Sequence, residues 1–453
     1  MLEKLKNMIS GSDADYIDIR YEVKKETSAA VAGPDLKKAG SNSTDGYVVR
    51  ALKSGGFSSV TVTREEDVPQ AVGLAVQGAV AMAGQGKKVS LAPVEPVKDW
   101  VEPELDVDPA SLPLKEKLVL LNKYNNLMFS FPEIVNTNLS YTEVDREKFF
   151  VSSQGSEIRE RVCTVSIAGE AVARKGVHTQ NIRVAIGGAN GFISLLNRDD
   201  VFTKRAELCE KLLDAKPVKA GTYDVIINPG LTGVFIHEAF GHFSEADIIE
   251  DNPPLRARMA LEEKIGSDVV NIIADSTLPH QVGFYKYDDE GTPVRPVTLM
   301  ENGVLKARLH SRRTAAEFGE PVTGHAVAED HRFEPIVRMG TIYMQKGKNS
   351  LEWLLKELSD GLYICDGKGG QTSGENFTFG AQYGYEVKGG EIRNMIRDIN
   401  IMGNMFTTMK NIEAVDNSMK FSERGGCGKG QLNIKSGYGG PSVLIRSMVI
   451  GGA

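Results

Sequence analysis

Residues 223–243 read YDVIINPGLTGVFIHEAFGHF. The opening YDVIINP has the character of a strand that ends in a Pro-Gly turn, and the stretch from Leu231 to Phe243 that of a helix. The texture of the chain changes here. Beyond about residue 285 it becomes a series of short alternating segments divided by glycine pairs, as in NFTFGAQYGYEVKGGEIRNM at 376–395. Helices are expected to interrupt this series near 350–358 and 404–412. The 47 glycines crowd toward this end of the chain, and such density within an apolar pattern calls for tight turns and bulges. A large twisted sheet or partial barrel is the expected outcome.

The chain before this point mixes helix and strand. Leu2, Leu5 and Ile9 share one face of a short amphipathic helix, and DYIDIRYE at 15–22 alternates as a half-buried strand would. A strand pair with a glycine turn follows at 46–63. Val68, Val72, Ala75, Val76 and Ala79 then mark a helix over 66–84. Five prolines between Pro93 and Pro113 predict an extended connector packed along a neighbouring surface. A helix from Leu114, strands across 138–170 and a helix at 203–214 complete the middle of the chain. The expectation is an α+β protein: a small N-terminal α+β domain (1–88), a connector (89–113), a middle α+β segment (114–217) and a C-terminal β-rich domain (218–453) that carries the chemistry.

Composition narrows the function. Of 453 residues, 41% are hydrophobic and 25% charged, as in an ordinary folded protein. The formal net charge of −7, with no run of Lys and Arg interleaved with aromatics, argues against nucleic acid as a direct partner. No segment approaches the ~18 apolar residues of a membrane span, and the N-terminal stretch lacks the unbroken apolar core of a secretory leader. Cys163, Cys209, Cys365 and Cys427 are too few and too scattered for a disulfide framework. A cytoplasmic protein with reduced thiols is expected.

His237-Glu238-Ala239-Phe240-Gly241-His242 carries the chemistry. Neutral imidazoles hold a metal ion, and a carboxylate beside them can take a proton from water on that ion. The familiar spacing of the two histidines is i and i+4; here it is i and i+5. At about 100° per residue, i+5 lies about 140° around an ideal helix and i+4 about 40°. A straight helix therefore cannot aim both rings at one ion. Either a π-bulge brings them into line or the helix ends at 240–243, with Gly241 as a natural place for the break. Catalytic zinc commonly has three protein ligands, and Glu245, Asp247 and the distant Cys427 are candidates for the third. Cys427 sits in RGGCGKG, where flanking glycines expose the sulfur and Arg424 and Lys429 would favour thiolate. The other three cysteines read as inert, and Met395, Met402, Met405 and Met409 as core filling. CDGKGGQTSG at 365–374 lacks the residue order of a phosphate loop.

These motifs resemble the TldD/PmbA family of peptidases. HEAFGH after a strand, CGKG near the C-terminus and a terminal IGG carry the likeness, with DYIDIRYE, VSSQGS, DDEGTP at 288–293 and ENGVL at 301–305 extending it along the chain. The resemblance is to the metal-bearing, TldD-like branch. It implies a zinc peptidase with His237, His242 and Cys427 as ligands and Glu238 as general base, acting on unfolded or modified peptides held as an added strand. It also implies a two-fold dimer, with a second copy or with a related chain that lacks the motif. One departure stands out: the family's R-M-T-N-T reads Arg338-Met339-Gly340-Thr341-Ile342 here, which bears on substrate choice if those groups line the peptide groove. A rival reading is a non-enzymatic peptide-binding or assembly protein with a structural zinc, its fourth ligand Glu245 or Asp247. An older name for the family, gyrase modulator, suggests a regulator of DNA-handling enzymes; the acidic charge argues against direct DNA contact in that reading.

Overall fold

The computed structural model describes residues 1–451; Gly452 of the terminal Ile-Gly-Gly and Ala453 lie outside them. The first half of the chain builds one seven-stranded sheet from β1 (Tyr16–Ala32), β2 (Asp35–Lys53), β3 (Gly56–Val62), β4 (Lys98–Val101), β5 (Ile134–Ser152), β6 (Glu157–Lys175) and β7 (His178–Gly188). The order is β3-β2-β1-β5-β6-β4, with β7 also on β6. The antiparallel pairing of β1 with β5, from Asp18 opposite Ser152 to Ala32 opposite Asn138, joins the N-terminal and middle segments in a single sheet. The proline-rich stretch runs along this sheet and contributes β4, parallel to β6. Helices Leu2–Ile9 and Val68–Met82 cover one half, over Ile17, Ile19 and Val49; helices Leu114–Phe129 and Asp199–Asp214 cover the other, over Tyr141, Ile167 and Ile186.

The other face of β1 departs from the half-buried strand its alternation predicts. Asp18, Arg20 and Glu22 are no more than 2% exposed. Their charges are met by the C-terminal half of the chain, above all by the loop Asp288–Pro293. Arg50 bridges Asp18 at 2.6 Å and Glu290 at 3.0 Å. Asp289 receives Arg146 at 3.1 Å, Lys148 at 3.2 Å and Arg20 at 3.5 Å, together with the amide of Ala328. Gly291 turns the loop with φ +70°, and a side chain there would strike the ring of Phe150. Alternation shows that one face is polar, but cannot show that this face is also covered.

The C-terminal half is a closed barrel beside a second sheet. Five strands close the barrel: Gly361–Ser373, Gly221–Ile227, Val443–Gly451, Ile399–Asn404 and Asn376–Lys388, the last pairing back onto the first. A six-stranded sheet contains Ile272–Ala274, Val297–Glu301, Thr341–Met344 and Gly437–Gly440. Helix Pro229–Ala239 leaves the barrel strand Gly221–Ile227 and packs against both units, within a continuous apolar core that includes Phe235, Ile236, Phe377, Ile342 and Met344. Met405 and Met409 fill this core, whereas Met402 is exposed. Cys163, Cys209 and Cys365 are buried, and burial lifts each thiol above its ordinary range. No helix among the described residues is long and apolar enough to cross a membrane.

Burial opposes charge on Asp289, yet Arg146, Lys148 and Arg20 hold its carboxyl well below the usual range. A depressed carboxylate contributes stability that is complete above its unfolded pKa of about 4 and is lost as the pH falls further. Asp289→Asn would leave the buried Arg20 and Lys148 and the partly buried Arg146 short of their shared anion. Chemical denaturation at pH 7 should show a loss of about 3–5 kcal/mol, and a variant as stable as wild type would contradict the clasp.

Candidate metal centre

The strand–turn–helix that carries the first histidine is fixed at both ends. Asn228 caps the helix, its side-chain oxygen accepting from the amide of Leu231 at 2.9 Å, and Pro229 occupies the first turn. Leu231, Phe235, Ile236 and Ala239 are buried on several sides because the helix lies between barrel and sheet. Gly233 allows the close approach of Tyr438 and the backbone of Gly439, where any side chain would collide.

The helix ends at Ala239, one of the two outcomes that the i, i+5 spacing leaves for a two-histidine site. Phe240 leaves helical geometry at φ −128°, ψ −41°, and Gly241–Ser244 forms a single 3₁₀ turn. There is no π-bulge. Gly241 contributes in a different way from the one expected: it does not adopt positive φ, and its missing side chain makes room for the sulfur of Met339. The break swings His242 back toward His237, so that the two rings lie 5.1 Å apart, nearly perpendicular.

Cys427 arrives from far along the chain. Its backbone pairs with Ile434 through two hydrogen bonds, 2.9 and 3.1 Å, making a hairpin around the glycine-rich tip. Its sulfur lies 3.3 Å from His242 Nε2, and one ligand atom from each of His237, His242 and Cys427 falls within 4.8 Å of the others. Tetrahedral bonds of about 2.0–2.3 Å would place ligand atoms roughly 3.3–3.8 Å apart, a small adjustment from this arrangement. His237 is 3% exposed, and its Nδ1 is buried with no hydrogen-bond partner. Burial alone would raise the Cys427 thiol, but the imidazoles of His237 and His242 bring it down to about 6, toward the thiolate that binds metal. Lys429 is turned elsewhere. It reaches Glu245 at 3.1 Å, Asp247 at 2.8 Å and the Val337 carbonyl at 2.6 Å. The donor set of two imidazoles and a thiolate suits zinc.

Glu245 and Asp247 are outside the ligand group. Glu245 is fully buried and accepts from His242 Nδ1 at 3.1 Å and from the amide of Met339, with Arg338 Nε at 3.4 Å. Although burial favours its neutral form, Lys429, His242 and Arg338 bring its carboxyl down to about 2. It orients His242, with Nε2 facing the sulfur. Glu238 is aimed at the same space: its Oε2 lies 3.9 Å from His242 Nε2, and Thr372 holds its carbonyl at 2.6 Å. The supporting role of Thr372 had no motif in the sequence to announce it, and Arg338, although it opens the Arg338–Ile342 stretch, was not expected beside Glu245. His237 and Glu238 open onto a cleft of about 1080 Å³ between β5–β7 and the C-terminal half, lined also by Tyr438, Asp366 and Arg183. The fold and this cluster define a class: a sheet-and-barrel protein with a His, His, Cys metal-binding arrangement that borders a large cleft through His237.

Comparison with known proteins places that class. The family model of the PmbA/TldA metallopeptidase C-terminal domain matches residues 220–452, that of the central domain residues 107–216, and that of domain 1 residues 17–83. A metalloprotease of Synechocystis is 33% identical over 97% of this chain and 96% of its own length. A zinc metalloprotease TldD homologue of Saccharolobus solfataricus is 28% identical, with 97% of each chain covered. In fold, TldE of Thermococcus kodakarensis superposes with a TM-score of 0.79 at 19% identity over 99% of this chain and 100% of its own. This chain belongs to the PmbA/TldD metallopeptidase family.

Glu245→Ala should weaken metal binding roughly 10- to 100-fold, as loss of such an outer partner typically does. Competition with a chromophoric chelator measures it. Unchanged affinity would remove Glu245 from the metal site's support.

Proposed function

We propose that the protein is a zinc-dependent peptidase that cleaves unfolded or modified peptides held as an extended strand in the cleft. The observation that carries this reading is the convergence of His237, His242 and Cys427 beside Glu238, with His237 and Glu238 lining a cleft of about 1080 Å³. A bound zinc ion would supply Lewis acidity and lower the pKa of a water in its open position. His237 and His242 would hold it through ring nitrogens and Cys427 through its thiolate. Glu238 accepts the proton of the attacking water at its carboxylate and returns it to the leaving amine. Thr372 limits the freedom of Glu238 by binding its backbone carbonyl, and Glu245 fixes the His242 ring.

The ligand group contains three side chains and no fourth among the described residues. A structural zinc is normally closed by four protein ligands, so the open set favours catalysis over a purely structural pin. The carboxylates that could have closed it, Glu245 and Asp247, are engaged with Lys429. The same reading includes a cytoplasmic location and a two-fold pairing, with a second copy or with a relative that lacks the motif. It includes no direct contact with nucleic acid or membrane.

Elemental analysis of wild type should give about one zinc per chain, and Cys427→Ser should lose or weaken it. Glu238→Ala should keep the metal while peptide cleavage falls by roughly 10²- to 10⁴-fold. Absence of zinc after reconstitution, or a metal-loaded Glu238→Ala protein cutting at the normal rate, would overturn the assignment.

A further inference from the structure

The cleft is less acidic than the protein around it. Although the chain carries −7 overall, the acids that line the cleft near the metal centre are largely committed. Glu423 is paired with Arg198 at 2.7 Å and Asp366 with Arg205 at 2.7 Å, while Glu238 belongs to the proposed chemistry. Arg424 and Lys435 line the same cleft, and neither has a carboxylate within ion-pair distance among the described residues.

Both cations sit on the hairpin that delivers Cys427. Both line the cleft, whereas Cys427 does not. Arg424 is close enough to act on Lys435: burial, then Arg424 and Lys24, push that lysine below its ordinary range, against a smaller opposing pull from Glu26. Arg424 is also within electrostatic reach of Tyr438, which lines the same cleft. Burial lifts the Tyr438 phenol, Glu238 adds to that lift and Arg424 opposes it, while the Tyr438 ring lies 5.8 Å from that of His237.

Of the other cleft cations without an ion pair, Arg183 donates to the carbonyl of Lys368 and Lys420 acts on Asp366; Arg424 and Lys435 are left as a receptor for an anion in the cleft that His237 and Glu238 line. Resting on the peptidase reading, we infer that Arg424 and Lys435 bind a carboxylate of the peptide substrate within a few residues of the cut. The preferred substrates are thus peptides with an acidic group near the scissile bond. The carboxylate could belong to an Asp or Glu side chain or to the peptide's own C-terminus; the chemistry of recognition is the same.

The test uses the full-length zinc-loaded protein and one unstructured peptide in matched forms. One set exchanges Glu for Gln at each of three positions on either side of the cut; another exchanges a free C-terminus for an amide. A carboxylate in one set should raise kcat/KM about tenfold over its neutral isostere, mainly through KM. The set that responds identifies the source. In the double variant Arg424→Gln, Lys435→Gln that ratio should fall to about one, with zinc content measured to exclude loss of the site. Arg424→Glu should shift the preference toward a Lys-bearing peptide. Equal cleavage of acidic and neutral forms, or a ratio that survives the double substitution, would overturn the inference. If no peptide is cut at all, the peptidase reading fails. The carboxylate receptor is then judged by the affinities of the same peptides, fluorescently labelled, for the metal-loaded protein: tighter binding of acidic forms sustains it and equal binding rejects it.

Discussion

One buried carboxylate holds the candidate centre together. Glu245 is reached by His242, Lys429, Arg338 and the amide of Met339, and these come from three separate parts of the chain. Removing such a charge from water is costly unless it is fully partnered. Its partners are therefore constrained to meet in one place. Lys429 lies two residues beyond Cys427, so anchoring Lys429 brings the thiolate to the histidines. Met339 lies against Gly241, at the break that turns His242. The i, i+5 spacing, the glycine at the break and the distant CGKG are thus parts of one mechanical solution.

The cleft depends on a second buried charge system. The seven-stranded sheet turns its charged face toward the C-terminal half, and Asp289 gathers Arg20, Arg146 and Lys148 across the junction. An apolar face would have served as glue equally well. An ionic one also fixes register, because a displaced sheet would strand several charges without water or partners. β5, β6 and β7 consequently form one wall of the cleft and the helix Pro229–Ala239 the opposite one. Both halves of the chain line the cleft, although every proposed ligand and the proposed base belong to the second.

Much of this was legible in the sequence. The helices at 66–84, from Leu114 and at 203–214 follow their apolar spacing, and the structure has them at Val68–Met82, Leu114–Phe129 and Asp199–Asp214. That the helix must depart from regular geometry before His242 followed from arithmetic on helical rotation, while the choice of a break over a π-bulge came from the structure. The single sheet was not legible, because a strand's sequence specifies its alternation and not its neighbour. DYIDIRYE shows the same failing: its polar residues look solvated until Asp289 and Glu290 are seen against them. Arg424 was read as an aid to the thiolate, but the structure has it in the lining of the cleft.

By itself the sequence determined the donor types, their spacing, the local break and the α+β class, because each follows from side-chain chemistry or from short-range periodicity. Only the tertiary structure decided which carboxylate supports and which does not ligate. It also decided that the barrel closes and that Cys427 crosses 185 positions to lie 3.3 Å from His242. Those outcomes depend on contacts between residues far apart in the chain, where no periodicity reaches and where the cost of burying a charge selects the partners.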